Sequence, residues 1–161
     1  MRVYIPSEDK KKRAAAPKET KPVDTSAEEA QFETLLEEIG GSFQVYYHWS
    51  YGIESISTPS LTTVSGDVSL YYNYALVDVD LSALTEVNGQ LYVYQNSVLE
   101  TLLLDDLQEV TSSLQVYGSS SLSELVMDSL TDVGSSMTIS YNTALETLSA
   151  AALTDLGSGL Y

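Results

Sequence analysis

Leucine and valine recur along most of this chain at a fixed spacing of 23 residues. An early unit begins at Leu36 and is two residues longer than the others, with the insertion falling between Trp49 and Gly52. The later units begin at Leu61, Leu84, Leu107 and Leu130, and a partial unit begins at Leu153. A repeat of this length is typical of proteins built from stacked, near-identical units.

Within one unit, Leu91 and Val93 alternate with other residues at the period of a β-strand, as do Leu102 and Leu104. The pattern therefore predicts two short strands per unit, joined by turns. A single unit is too small to bury its own apolar face, but coils stacked about 4.8 Å apart would share a continuous core. The predicted fold for residues 36–161 is mainly β, a short parallel β-solenoid whose interior holds Leu84, Val87, Leu91, Val93, Leu99, Leu102 and their equivalents.

The residues before the repeats divide into two parts. Residues 1–24 are rich in Lys, Pro and Ala without apolar periodicity, which predicts a flexible basic arm. Residues 25–161 then form the predicted domain. It opens with a capping helix at about 26–39, because Ser26 and Glu29 match a capping box and Phe32, Leu35, Leu36 and Ile39 recur at helical spacing.

Polar residues also hold fixed columns of the repeat. Glycines stand where the chain turns into the first predicted strand, at Gly41, Gly66 and Gly89. Asparagines follow that strand at Asn73, Asn96 and Asn142, with His48 and Ser119 in the same column. An inward asparagine can bond to turn backbone groups that would otherwise be buried without partners.

Charge is distributed very unevenly. All seven Lys and Arg residues lie in the first 21 positions, whereas 20 of the 23 acidic residues lie after them. A body without cations cannot bind nucleic acid through phosphate contacts. The chain has no cysteine, which excludes a disulfide scaffold and Cys-ligated metal sites, and it has no apolar run of the roughly 20 residues that span a bilayer.

These features argue against an enzyme. Lyase chemistry that depends on a cationic side chain would find no Lys or Arg in residues 22–161. A Ser-His-Asp arrangement would have to use His48, the single histidine. Carboxylate pairs such as Asp78 with Asp80, or Glu100 with Glu124, fall on exposed strand positions without an apolar pocket to raise one pKa. We therefore expect no catalytic residues, no cofactor and no dedicated metal site.

One column carries a run of acidic residues. Its members are Glu38, Glu86, Glu109, Asp132 and Asp155, interrupted by Thr63. Such a column is either a solvated acidic edge or a place where divalent cations associate loosely, since it lacks the local ligand spacing of a calcium loop.

Tyrosine marks the candidate binding surface. Tyr46, Tyr71, Tyr94 and Tyr117 share one column beside inward-facing residues, so they should point outward and be exposed to solvent, with Tyr92 on the same face. Trp49 and Tyr51 cluster near the insertion in the first coil. Aromatic rings with a polar edge suit recognition of a protein or a glycan, although stacked tyrosines also stabilise an exposed sheet by cross-strand contacts.

The run Leu91-x-Val93-x-x-Asn96, followed by Leu99 and Leu102, resembles the leucine-rich-repeat pattern. The opening Leu-Thr-x-Val-x-Gly of the coil is similar to the receptor L domain, which also occurs in fungal wall and bacterial surface proteins. This resemblance implies a ligand-binding module without catalysis, at the cell surface or outside the cell, although the arm does not match a secretory signal peptide.

A structural subunit of a larger assembly is the competing hypothesis. In that case Lys10, Lys11, Lys12 and Arg13 of the arm would grip an acidic neighbour. The C-terminal coil, in which Leu160 enters the first-strand column, would present open sheet edges to a second chain of the same or another kind.

Overall fold

The computed structural model describes residues 36–46 and 53–161, which form a mainly β, parallel solenoid of about five turns. Each complete turn contributes three short strands to three faces, rather than the two strands predicted. The additional strand has only two residues and a single inward side chain, such as Val64 or Val87. It therefore leaves no alternation in the sequence.

Two faces carry continuous six-stranded sheets, with strands numbered in chain order. The acidic sheet consists of β1 (Glu38–Ile39), β4 (Thr63–Val64), β7 (Glu86–Val87), β10 (Glu109–Val110), β13 (Asp132–Val133) and β16 (Asp155–Leu156). The tyrosine sheet consists of β2 (Phe43–Tyr46), β5 (Val68–Tyr71), β8 (Leu91–Tyr94), β11 (Leu114–Tyr117), β14 (Ser136–Ser140) and β17 (Gly159–Leu160).

The third face is divided into two sheets. One contains β3 (Ser55–Ser57), β6 (Asp78–Asp80) and β9 (Thr101–Leu103), and the other contains β12 (Glu124–Val126) and β15 (Thr147–Ser149). All strand pairs in the described residues are parallel, and from β4 onward paired residues are 23 positions apart, as the sequence repeat requires.

The core prediction is confirmed except near residue 161, where Leu148 and Leu160, the equivalents of Leu102 and Leu91, are exposed. Leu84, Val87, Leu91, Val93 and Leu99 are fully buried, and Leu102 is 4% exposed. Their equivalents in neighbouring coils join them in one apolar cluster that runs along the stack. Since every coil contributes the same inward positions, the core depends on contacts between coils.

The asparagine column forms a buried ladder of side-chain bonds. Asn96 Nδ2 donates to the Leu70 carbonyl at 2.8 Å, and Asn96 Oδ1 accepts from the Asn73 amide at 3.0 Å. Asn142 makes the same two contacts, to the Val116 carbonyl and the Ser119 amide, both at 2.9 Å. Each asparagine therefore joins its own coil to the preceding one at the end of the tyrosine sheet.

The N-terminal prediction falls mostly outside the described residues. The arm (1–24) and residues 26–35 of the predicted helix lie there, as do His48, Trp49 and Tyr51. The last residues of the predicted helix are described, and Glu38–Ile39 belong to β1 rather than to a helix. Across 36–46 and 53–161, we find no helix long and apolar enough to cross a membrane.

Candidate interaction surface

The parallel register aligns the predicted tyrosines. Tyr46 pairs with Tyr71, Tyr71 with Tyr94, and Tyr94 with Tyr117, in successive strands of the tyrosine sheet. Tyr92 lies two residues before Tyr94 and therefore on the same outer side. The predicted column is present, with its rings directed away from the core.

The rings of this column cover one another. Tyr46 and Tyr71 stack with centroids 5.0 Å apart and planes 6° apart, and Tyr94 and Tyr117 stack at 4.8 Å and 12°. Tyr92 links the two stacked pairs, because it meets Tyr71 edge-on at 6.4 Å and stacks on Tyr94 at 5.4 Å and 11°. In consequence Tyr71, Tyr94 and Tyr117 are half-buried and so less exposed than predicted, whereas Tyr46 is 43% exposed.

Three further tyrosines extend the surface beyond the predicted set. Tyr72 meets Tyr94 edge-on at 5.6 Å, Tyr74 lies 6.4 Å from Tyr72, and Tyr141 lies 4.8 Å from Tyr117. Together the eight residues define the tyrosine face: Tyr46, Tyr71, Tyr72, Tyr74, Tyr92, Tyr94, Tyr117 and Tyr141.

A left-handed backbone conformation explains why Tyr72 and Tyr141 face outward. Their φ angles are +59° and +58°, so each leaves the strand's alternation immediately after an outward residue. Gln95 and Gly118 occupy the same column with φ of +57° and +71°. The glycine at 118 was the one sequence signal for this conformation, because glycine adopts positive φ without steric cost.

The tyrosine sheet is also free of charge. None of its strands contains an acidic or basic residue, whereas every strand of the acidic sheet except β4 has an outward carboxylate. In a chain whose residues 22–161 carry 20 acids and no Lys or Arg, this leaves one uncharged aromatic surface beside an acidic one.

Packing within the tyrosine face raises the pKa of two of its phenols. Burial raises the pKa of the Tyr92 phenol, and the nearby Tyr94 adds to the effect. Burial also raises the pKa of Tyr117, with further contributions from Tyr141 and Tyr94. Both phenols therefore remain hydrogen-bond donors at neutral pH.

The acidic column has the predicted register. Glu86 pairs with Glu109, Glu109 with Asp132, and Asp132 with Asp155, so like charges are direct neighbours on the acidic sheet. In the described part of the chain, no group of three or more His, Cys, Asp or Glu side chains is arranged to hold a metal ion.

The remaining candidate residues that the structure describes are not brought to the tyrosine face. Asp80 lies on the third face, where the Ser82 hydroxyl donates to its carboxylate at 2.7 Å and holds the Asp80 pKa below its usual value. Glu100 and Glu124 lie beside a groove on that same face. Trp49, Tyr51 and the basic run Lys10 to Arg13 lie outside the described residues. No family model matches this chain, and no curated protein or solved structure does so either.

Proposed function

We propose that this chain is a non-enzymatic interaction module that binds a protein partner through the tyrosine face. The observation that carries the proposal is the segregation of charge, which leaves one aromatic, uncharged surface on a strongly acidic body. Protein interfaces are enriched in tyrosine and depleted of acidic residues and lysine at their centre. A partner can bury this face without desolvating an unpaired carboxylate.

The ring geometry favours a protein over a glycan. Sugars bind aromatic residues by stacking on an open ring face, but the faces of Tyr71, Tyr94 and Tyr117 are partly covered by neighbouring rings. What remains accessible along the column is ring edges and phenol oxygens, which suit side chains and backbone groups of a protein. Within the tyrosine face, the most exposed residues are Tyr46 and Tyr141, at 43% and 70%.

The repeat supports a family proposal as well. The leucine columns, the asparagine column and the coil length fit a leucine-rich or receptor L-type repeat. Members of that group act as ligand-binding modules of surface proteins, and we extend that role to this chain as a proposal.

A structural subunit of an assembly is the second candidate. It is favoured by exposed apolar side chains, with Leu148 48% exposed and Leu160 61% exposed. Association there would bury these residues against another chain, with the basic arm as a further contact. Such an assembly would persist when the tyrosine face is altered.

The test uses matched pairs of outward residues. The double variant Tyr94→Ser and Tyr117→Ser removes two rings from the tyrosine face. The control, Glu86→Ser with Glu109→Ser, alters the acidic sheet in the same two coils. The full chain is screened against protein and glycan arrays, and the affinity for the best ligand is measured for each variant. We expect the tyrosine variant to weaken protein binding at least about tenfold, a loss of ~1.4 kcal/mol, with the control close to the parent.

Thermal unfolding separates binding from folding. If the tyrosine variant loses stability while the remaining folded protein binds as before, the stacked rings serve the sheet alone and the proposal is wrong. A best ligand that is a glycan would overturn the choice of a protein partner.

A further inference from the structure

The third face of the solenoid is interrupted between β9 and β12. These strands belong to adjacent coils, yet β9 pairs only with β6 and β12 only with β15. On the other two faces, the same coils remain joined through β7 with β10 and β8 with β11. The two coils are therefore paired along two faces and unpaired along the third.

Backbone hydrogen bonds recur at equivalent positions in neighbouring coils, so the bonds that are missing between β9 and β12 can be identified. The amides of Glu100 and Glu146 each donate to the carbonyl one coil earlier, Val77 and Ser123 respectively, both at 2.9 Å. The corresponding bond from Ser123 to the Glu100 carbonyl is not formed within residues 53–161. Backbone groups at a solvent-accessible strand edge are ready to pair with another chain.

The opposite end of the same strands has a second gap. Leu81 donates to the Leu103 carbonyl at 3.1 Å and Met127 to the Ser149 carbonyl at 2.9 Å. Among the described residues, the equivalent bond from Leu104 to Val126 is missing. Both ends of the β9 and β12 edges are therefore left without their ladder partners.

A groove of about 440 Å³ lies at this interruption. Its lining includes both strand edges, the outward Leu103, which is 39% exposed, and the carboxylates of Glu100, Asp105 and Glu124. Because the sequence has no Lys or Arg after Lys21, the body supplies no cation to these carboxylates. The groove thus combines unpaired backbone groups with uncompensated negative charge.

We propose that the basic segment Lys10–Arg13 of the same chain docks in this groove. All the cations of the chain lie in the first 21 residues, and four of the seven are consecutive in this segment. Along the outer rim of the groove, the backbone of the segment can donate to the carbonyl of the exposed Glu100 and accept from the amide of the exposed Ser123. The lysine and arginine side chains pair with the rim carboxylates, and their aliphatic stems cover Leu103.

The reach of the chain permits this contact. Arg13 precedes Leu36 by 23 residues, which span up to roughly 75 Å when extended. The groove lies between the coils that begin at Leu84 and Leu107, only two to three coil spacings from the first coil, or roughly 10–14 Å along the stack. An intramolecular segment also has a high effective concentration at a site that it can reach.

Carbodiimide coupling tests the proposal directly, because it joins a lysine amine to a carboxylate with which it is in contact. In the full chain, we expect Lys10, Lys11 and Lys12 to couple to Glu100, Asp105 and Glu124 at least about tenfold more than to Glu86 and Glu109, a bias of ~1.4 kcal/mol. Equal coupling to both groups of carboxylates would overturn the proposal. Mixing ¹⁵N-labelled with unlabelled chains identifies the donor, and products that join two different chains would show a second copy as the occupant, contradicting docking within one chain.

Hydrogen exchange gives an independent readout. Replacing Lys10–Arg13 by glutamine should accelerate exchange of the Ser123 amide about tenfold, since Ser123 is exposed and docking is what protects its amide. Glu100→Gln with Glu124→Gln should act in the same direction, while Glu86→Gln with Glu109→Gln should leave exchange of the Ser123 amide unchanged. Unaltered exchange at Ser123 in the arm variant would contradict the proposal.

Discussion

Ser119 interrupts the asparagine ladder, and replacing it by asparagine should stabilise the fold. Ser119 is fully buried, and its Oγ has no hydrogen-bond partner among the described residues. It occupies the column of Asn73, Asn96 and Asn142. Serine is too short to repeat their contacts. The backbone amide of Asn96 therefore lacks the side-chain oxygen that an asparagine in the next coil would offer as an acceptor.

The local backbone is already suited to asparagine. The residue before Ser119 has a positive φ, as do the residues before Asn73, Asn96 and Asn142. The turn that follows is the same, since the Leu122 amide donates to the Ser119 carbonyl at 3.2 Å and Leu99 donates to Asn96 at 3.0 Å. Asn73 and Asn96 are adjacent in the column, which demonstrates that two neighbouring asparagines fit.

The magnitude follows from the bonds gained. Ser119→Asn would place Nδ2 toward the Val93 carbonyl and Oδ1 toward the Asn96 amide, and it would remove an unpaired buried hydroxyl. Two net bonds at about 0.5–1.5 kcal/mol each, less the entropy of fixing the longer side chain, give an increase in unfolding free energy of about 1–2 kcal/mol.

Urea denaturation of the variant and the parent measures this change, with thermal melting as a second assay. Asn96→Ser is the matched reversal, and we expect it to lower stability by about 2–3 kcal/mol because it strands the Asn73 amide and the Leu70 carbonyl. A lower midpoint for Ser119→Asn than for the parent would refute the reasoning, since it would mean that the column has no space for an asparagine between Asn96 and Asn142.

Three further outcomes follow from the same contacts. Glu109→Gln should raise stability by about 0.2–1 kcal/mol at low salt, because Glu109 lies between two like charges, and a gain that persists undiminished in half-molar salt would contradict that cause. Gly134→Ala should lower the free energy of unfolding, measured in urea, by about 1–3 kcal/mol, because a Cβ there would collide with the Thr111 carbonyl. A variant as stable as the wild type would show that the coils can separate locally. The lowered pKa of Asp80 contributes stability that is present above its unfolded pKa of about 3.9 and lost as pH falls through the folded value. Asp80→Asn should therefore flatten the acid limb of the melting-temperature profile, and an unchanged acid limb would exclude this linkage.

The sequence was sufficient for the core and for the tyrosine column because both depend on a strict period. Leu91 and Val93 alternate within a strand, and the 23-residue repeat then fixes which residues become neighbours in adjacent coils. A column of identical side chains is visible without knowing the detailed backbone. The direction of Tyr94 and Tyr117 could therefore be predicted before any coordinates.

Other features have no periodic signal. A two-residue strand such as β7 has one inward residue, Val87, and so cannot display alternation. The exposure of Tyr94 depends on how its ring meets those of Tyr72 and Tyr117, which register alone does not determine. The interruption between β9 and β12 falls between two coils of equal length, so the spacing of the repeat does not reveal it.

That interruption has a consequence for how the molecule unfolds. In a linear array, stability is a sum over coils and the interfaces between them, so cooperativity is limited by the weakest interface. The interface between the coils that begin at Leu84 and Leu107 has lost one of its three sheets and is the place where the array should divide. The described residues up to 106, including β1 and β2, and residues 107–161 would then behave as two folding units, with separate levels of amide protection on either side of the same groove.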